Sequence, residues 1–149
     1  MQLRYKNIFQ AAKENDFRRI RRLINQNIDL NQTQDHYTPL MLAVLAGNIE
    51  SIHLLLLAGA DAKKTIEITS SGQQATALSL LMLYDTDAQF LKNCLMLFQH
   101  HSVDLNPYTD GCFFYSQTYP ATFLNNINLI LNRITSHEES AFLRQLPTQ

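Results

Sequence analysis

The chain has 149 residues and a formal net charge of -1, and 46% of its residues are hydrophobic and 17% charged. This length suits one domain with a single core, and the composition is ordinary for a folded protein without low-complexity linkers. The near-zero charge provides no general attraction to nucleic acid or to an anionic membrane surface. The two cysteines are too few for a disulfide framework, which favours a reducing, cytoplasmic compartment.

The first residues, "MQLRYKNIFQAAKEND", contain no apolar core of the kind found in a signal peptide. Nowhere in the chain do roughly 18 apolar residues follow one another, the minimum for a membrane helix. We therefore expect no cleaved signal and no membrane span.

The first predicted helical pair is "IFQAAKENDFRRIRRLINQNIDLN", residues 8–31. In its second helix Phe17, Ile20, Leu23 and Ile24 share one face, which leaves the four arginines of residues 18–22 on the outward arc. This arc is interpreted as the solvated outer face of the end of a helical stack, since terminal repeats need a polar surface. A binding site for nucleic acid or an acidic partner is the alternative.

The second predicted pair occupies "TPLMLAVLAGNIESIHLLLLAGAD", residues 38–61. Thr38 can cap a helix, and Pro39 suits the first helical position because its missing amide would have no partner there. Gly47 can take the left-handed conformation that ends a helix, and Gly59 can end the next one. The pattern predicts a short hairpin of helices that bury each other.

The two pairs align without a gap at an offset of 32 residues, which brings Ile20 onto Ile52 and Asp29 onto Asp61. A third unit starts at Thr76 and ends in "VDLN", residues 103–106, matching "IDLN" at residues 28–31. A fourth unit is suggested by "TDG" at residues 109–111, by helical spacing from Pro120, and by a short final helix in "HEESAFLRQL". Repeated helical pairs indicate a stack in which each unit packs on its neighbours.

These residues resemble ankyrin repeats. The second unit agrees with the family pattern at ten positions: Thr38, Pro39, Leu40, Ala43, Gly47, Leu55, Leu56, Gly59, Ala60 and Asp61. His36 stands where the family has a loop glycine, and Met41 stands at its usual histidine. The first unit lacks the T-P-L motif, and the third lacks the mid-repeat glycine.

The resemblance implies an all-α ankyrin-repeat solenoid that forms a single domain over residues 1–149. Its three recognisable helix-turn-helix repeats are placed at about residues 5–32, 33–65 and 70–106, and an irregular capping unit at residues 107–149. Protruding loops and a concave face made by the first helix of each unit are also implied.

Candidate protein-binding residues are those at positions that vary among the repeats and face the concave groove: Gln34, Asp35, Tyr37, Leu45, Gln73, Leu83 and Tyr84. Several are apolar or aromatic where solubility alone would favour a charged residue, as in the core of an interface. The alternative is that residues 63–75 or the C-terminal segment fold over them. Leu55 is expected in the inter-repeat core, and Tyr37 outside it.

The sequence also contains residues of the types used in metal sites and in catalysis. His100 and His101 with Asp104, or "HEES" from His137, lack the spacing of a zinc site, and Cys94 lies in an apolar helix without a protease signature. With four glycines in all, no phosphate-binding loop can be written. We expect no catalytic residue, no metal and no cofactor.

The expected function is therefore non-enzymatic binding of another protein through the concave face and loop tips, as an adaptor or inhibitor in the cytoplasm. No nucleic acid, membrane or small-molecule substrate is expected. The alternatives are a regulatory subunit that acts within a complex or a bacterial effector delivered into host cytosol. An enzyme is the third option, and it would require a pocket joining Cys94 or Cys112 to a histidine.

Overall fold

The protein is described here by a computed structural model that covers residues 7–64, 66–67, 74–83, 88–103 and 132–147. Within these residues seven helices and one pair of short strands occur in the order α1 (Ile8–Lys13), α2 (Phe17–Asn25), α3 (Pro39–Ala46), α4 (Ile49–Leu57), β1 (Ile66–Glu67), β2 (Gln74–Ala75), α5 (Ala77–Leu83), α6 (Ala88–His100) and α7 (Ser136–Arg144).

The first six helices form two rows. Helices α1, α3 and α5 pack side by side in the inner row, and α2, α4 and α6 pack in the outer row. The inner helices are the shorter ones, and fully buried Ala11, Ala12 and Ala43 allow their backbones to approach closely. The predicted all-α stack of three helical pairs is confirmed.

Both ends of α3 are capped by the residues that the sequence predicts. The Thr38 hydroxyl accepts a hydrogen bond from the amide of Met41 at 3.2 Å, and Pro39 occupies the first helical position. Gly47 ends the helix with a left-handed φ of 76°. In the first unit the aligned residue is Asn15, which has a φ of 55° and is one of the few side-chain types that tolerate this conformation.

Asparagine side chains connect the first unit to the second. The Asn48 amide donates to the carbonyls of Ala12 at 2.6 Å and Lys13 at 2.9 Å, two groups that the end of α1 leaves without helical partners. The side-chain oxygen Oδ1 of Asn15 accepts a hydrogen bond from the Ser51 hydroxyl at 2.7 Å. These bonds fix the register of one helical pair against the next.

The segment predicted as a long loop, residues 63–75, contains the antiparallel pairing of β1 with β2, in which Ile66 is opposite Ala75. Ile66 is also buried in the core. Strand β2 leads directly into α5 through the buried residue Thr76.

Helix α7 begins one residue before the predicted "HEES" segment. Thr135 and Glu138 form a reciprocal capping box at its start. The helix itself has no fully buried residue, but Leu146 behind it is buried in the core. The predicted turn at residues 109–111 and the helical spacing from Pro120 lie outside the described residues. None of the described helices has both the length and the apolar character that crossing a bilayer requires.

Candidate functional site

Residues Gln34 to Tyr37 form a tight hairpin turn in front of α3. The amide of Gln34 donates to the Tyr37 carbonyl at 2.9 Å, and the amide of Tyr37 donates back at 3.1 Å. Asp35 and His36 between them have φ values of 52° and 76°, both left-handed. Two successive left-handed residues match the twist of a two-residue hairpin, a geometry that usually selects Asn or Gly.

The side chains at this hairpin tip point into solvent. Gln34, Asp35 and His36 are all exposed. The Asn7 amide donates to the Gln34 side-chain oxygen at 3.3 Å, which links the tip to the N-terminal end of α1. The tip is therefore a fixed, polar projection.

Tyr37 departs from expectation because it is half-buried and packs against the hydrophobic core. The expectation that it lies outside the core is wrong, because the hairpin turns its second arm back toward the helices. Replacing Tyr37 would disturb packing as well as any contact with a partner.

Leu45 lies near the end of α3 and is 37% exposed, and Ala46 beside it is also exposed. Leu45 is seven positions after the N-cap Thr38, so it lies about 10 Å along the helix axis from the start of α3. The candidate surface therefore extends along α3, with polar groups at one end and an exposed leucine at the other.

The candidate residues of the third unit are only partly described. Leu83 is the last residue of α5, without a description of its side chain. Gln73 and Tyr84 lie outside the described residues, as do most of the loop and C-terminal residues that could cover the surface. The placement of all the candidate residues in a binding site stays a prediction.

A pair of histidines joins the second unit to the third. His53 on α4 is 8% exposed, and its Nδ1 lies 3.3 Å from Nε2 of His101, just after α6. Desolvation lowers the pKa of both rings. Together with repulsion from His53 and His100, it lowers the pKa of His101 to about 4. A hydrogen bond to the backbone of Pro147 acts in the opposite direction on the pKa of His53.

The sequence did not identify His53 as a partner of His101. The only signal was a histidine within a run of buried leucines. The metal site considered from sequence used His100, His101 and Asp104, of which Asp104 lies outside the described residues. In the part of the chain that the structure describes, no three His, Cys, Asp or Glu side chains are grouped so that they could hold a metal ion.

Stability should decrease as the pH falls from 6.5 toward 4, because the unfolded chain then binds protons that the folded histidine pair rejects. Above pH 6.5 the neutral histidine pair makes its full contribution to the stability of the folded chain. Solvent screening limits the loss to on the order of 1 kcal/mol. Urea unfolding at pH 7.5 and pH 5 measures it.

The variant His101→Gln should remove most of this pH-dependent change, and His137→Gln, at an exposed histidine on α7, should retain it. An unchanged pH dependence in His101→Gln would contradict the assignment to this pair.

Cys94 lies fully buried in α6, and desolvation raises the pKa of its thiol far above the usual value. Because the thiolate is the reactive form, this environment disfavours a role as nucleophile. Its position is that of an apolar core side chain.

Comparison with known proteins agrees with the helical pairs. A family model described as "Ankyrin repeats (3 copies)" matches residues 4–66. The match covers the first two units, and the third continues the same two rows of helices. No curated protein and no solved structure gives a significant match.

Proposed function

Since residues 4–66 belong to the ankyrin-repeat family, whose repeats generally serve as protein–protein interaction modules, we propose that this chain is a non-enzymatic adaptor or inhibitor. It binds a partner protein through the hairpin tip at residues 34–37 and the inner row of helices. The proposed location is the cytoplasm.

The observation that carries the proposal is the left-handed backbone of Asp35 and His36. Each side chain in this conformation costs on the order of 1 to 3 kcal/mol, and a glycine would relieve the cost at His36. A solvent-exposed histidine that destabilises its own turn is well explained by a contact that its side chain makes with a partner.

Leu45 supplies the apolar part of the same surface. An exposed apolar side chain on a rigid element can contact a partner with little loss of conformational entropy. Helix α3 is such an element, since Leu40, Met41 and Ala43 are buried along it. Occlusion of the partner's own binding or active surface is the simplest mechanism for a rigid stack.

We test the proposal by quantitative affinity capture from lysate of the source cells with four forms of the chain: wild type, Leu45→Glu, His36→Gly and Gln99→Glu. Gln99 is the control, since it is exposed but lies on α6 in the outer row. Capture of the partner should fall at least about tenfold in Leu45→Glu and in His36→Gly, and it should be retained in Gln99→Glu.

The same His36→Gly variant should be more stable than wild type by up to about 1 kcal/mol, because glycine adopts the left-handed turn without a steric cost. Urea unfolding measures this change beside the capture. Increased stability with reduced capture would support a binding role for His36. A partner captured equally well by all four forms would contradict the proposed surface.

A further inference from the structure

Charge is distributed unevenly along the chain. Residues 1–30 contain seven Lys and Arg and three Asp and Glu, a formal charge of +4. Residues 31–149 contain five basic and ten acidic residues, a formal charge of -5. The small net charge therefore conceals a basic first unit at the end of an acidic stack.

Much of the positive charge lies on α2. Arg18 and Arg22 are exposed and one helical turn apart, and Arg21 between them is half-buried. Among the described residues, none of these three guanidinium groups has a carboxylate partner within ion-pair distance. Like charges one turn apart repel each other, so intrahelical pairing does not account for the cluster.

The Arg21 guanidinium lies near an aromatic ring, and one of its donors has no hydrogen-bond partner in the described part of the chain. Its guanidinium carbon lies 5.9 Å from the centre of the Phe17 ring, and its Nε is buried without a hydrogen-bond partner among the described residues. A buried donor without an acceptor is unfavourable. A partner's carboxylate would pair with the rest of the half-buried guanidinium and not with the buried Nε.

A groove lined by Asn27 and several apolar side chains adjoins the end of the same helix. It has a volume of about 430 Å³ and lies between the end of α2 and the end of α4. Ile24, one turn after Arg21, lines it together with Ile28, Leu30 and the exposed Leu57. Its size is sufficient for one large apolar side chain and some backbone.

We propose that this outer surface binds an acidic segment of a partner protein. Carboxylates of the segment pair with the α2 arginines, defined as Arg18, Arg21 and Arg22, and an adjacent apolar side chain enters the groove. Guanidinium groups suit this role because their planar donors bind carboxylates bidentately and remain charged at all relevant pH values. The site lies on the outer row, so it is separate from the surface around Leu45.

The charge pattern favours a short acidic segment over nucleic acid or an anionic membrane. The α2 arginines can neutralise only about three phosphates, which gives weak and strongly salt-dependent binding to a polyanion. The acidic remainder of the stack would repel an extended negative surface. A short segment that covers one helix avoids this repulsion.

The test uses the full chain and a short fluorescein-labelled peptide in which a Leu-Phe pair is flanked on both sides by Glu. Fluorescence anisotropy measures its dissociation constant at low and physiological salt. Binding should weaken at least about tenfold in Arg18→Glu/Arg22→Glu, and it should also weaken in Leu57→Ser. Arg133→Glu, at an exposed arginine outside the surface, should bind as wild type does, and Leu45→Glu should also leave binding unchanged.

Circular dichroism confirms that each variant is folded before its binding is compared. Absence of saturable peptide binding by the wild-type chain would overturn the proposal, as would equal binding of a peptide with every Glu replaced by Gln. Tighter binding of a single-stranded oligonucleotide, or of phosphatidylserine vesicles, would also overturn it in favour of a phosphate-bearing ligand. Loss of binding in Arg133→Glu equal to that in the double variant would assign the effect to overall charge.

Discussion

Replacing Phe98 with alanine is expected to lower the free energy of unfolding by about 3 to 5 kcal/mol, because a fully buried aromatic ring leaves a large cavity. Phe98 lies on α6 in the third unit, beyond the residues that match the family model. It belongs to the same continuous core as Ile8 and Ile20 of the first unit. Urea unfolding followed by circular dichroism should therefore show one cooperative transition moved to lower urea.

The control for this prediction is Gln99→Ala, which changes an exposed residue on the same helix and should alter stability by no more than about 0.5 kcal/mol. Two separate transitions, of which Phe98→Ala moves only one, would mean that the third unit folds independently of the first two. That result would contradict the continuous core.

Leu55→Ala should destabilise the protein by about 2 to 5 kcal/mol. Leu55 is completely buried on α4, the middle helix of the outer row, which packs against α2 and α6. A cavity at this position removes contacts within the helical pair and between units. The change in the urea midpoint at constant slope measures the loss.

Leu57→Ala is the matched control because it makes the same substitution two residues later, at a side chain that is 44% exposed. Its loss should remain below about 1 kcal/mol, and Tyr37→Ala should fall between the two because Tyr37 is half-buried. Equal losses from Leu55→Ala and Leu57→Ala would show that the buried face of α4 is assigned incorrectly.

The second unit was predictable in detail because its local signals agree with one another. Thr38, Pro39 and Gly47 act through the backbone of their own helix, so their effects do not depend on distant residues. The first unit was recognisable by its constant offset even though Asn15 replaces the glycine, because asparagine tolerates the same conformation. The third unit was recognisable from its apolar spacing and its final "VDLN".

The candidate surface was less predictable because exposure depends on where the chain turns in space. Tyr37 has the sequence position of a loop residue, but the hairpin returns it to the core. Ile66 is buried where β1 pairs with β2, and no strong local sequence pattern predicts this pairing.

The sequence by itself determined the repeated helical pairs, their caps and the buried helix faces, since these depend on short-range spacing and intrinsic backbone preferences. Only the tertiary structure brought His53 to His101 across 48 residues and placed the groove between α2 and α4 beside the α2 arginines. Such contacts arise from the stacking of one unit on the next. Their chemistry depends on distances and burial between units, which the order of residues within a single unit does not specify.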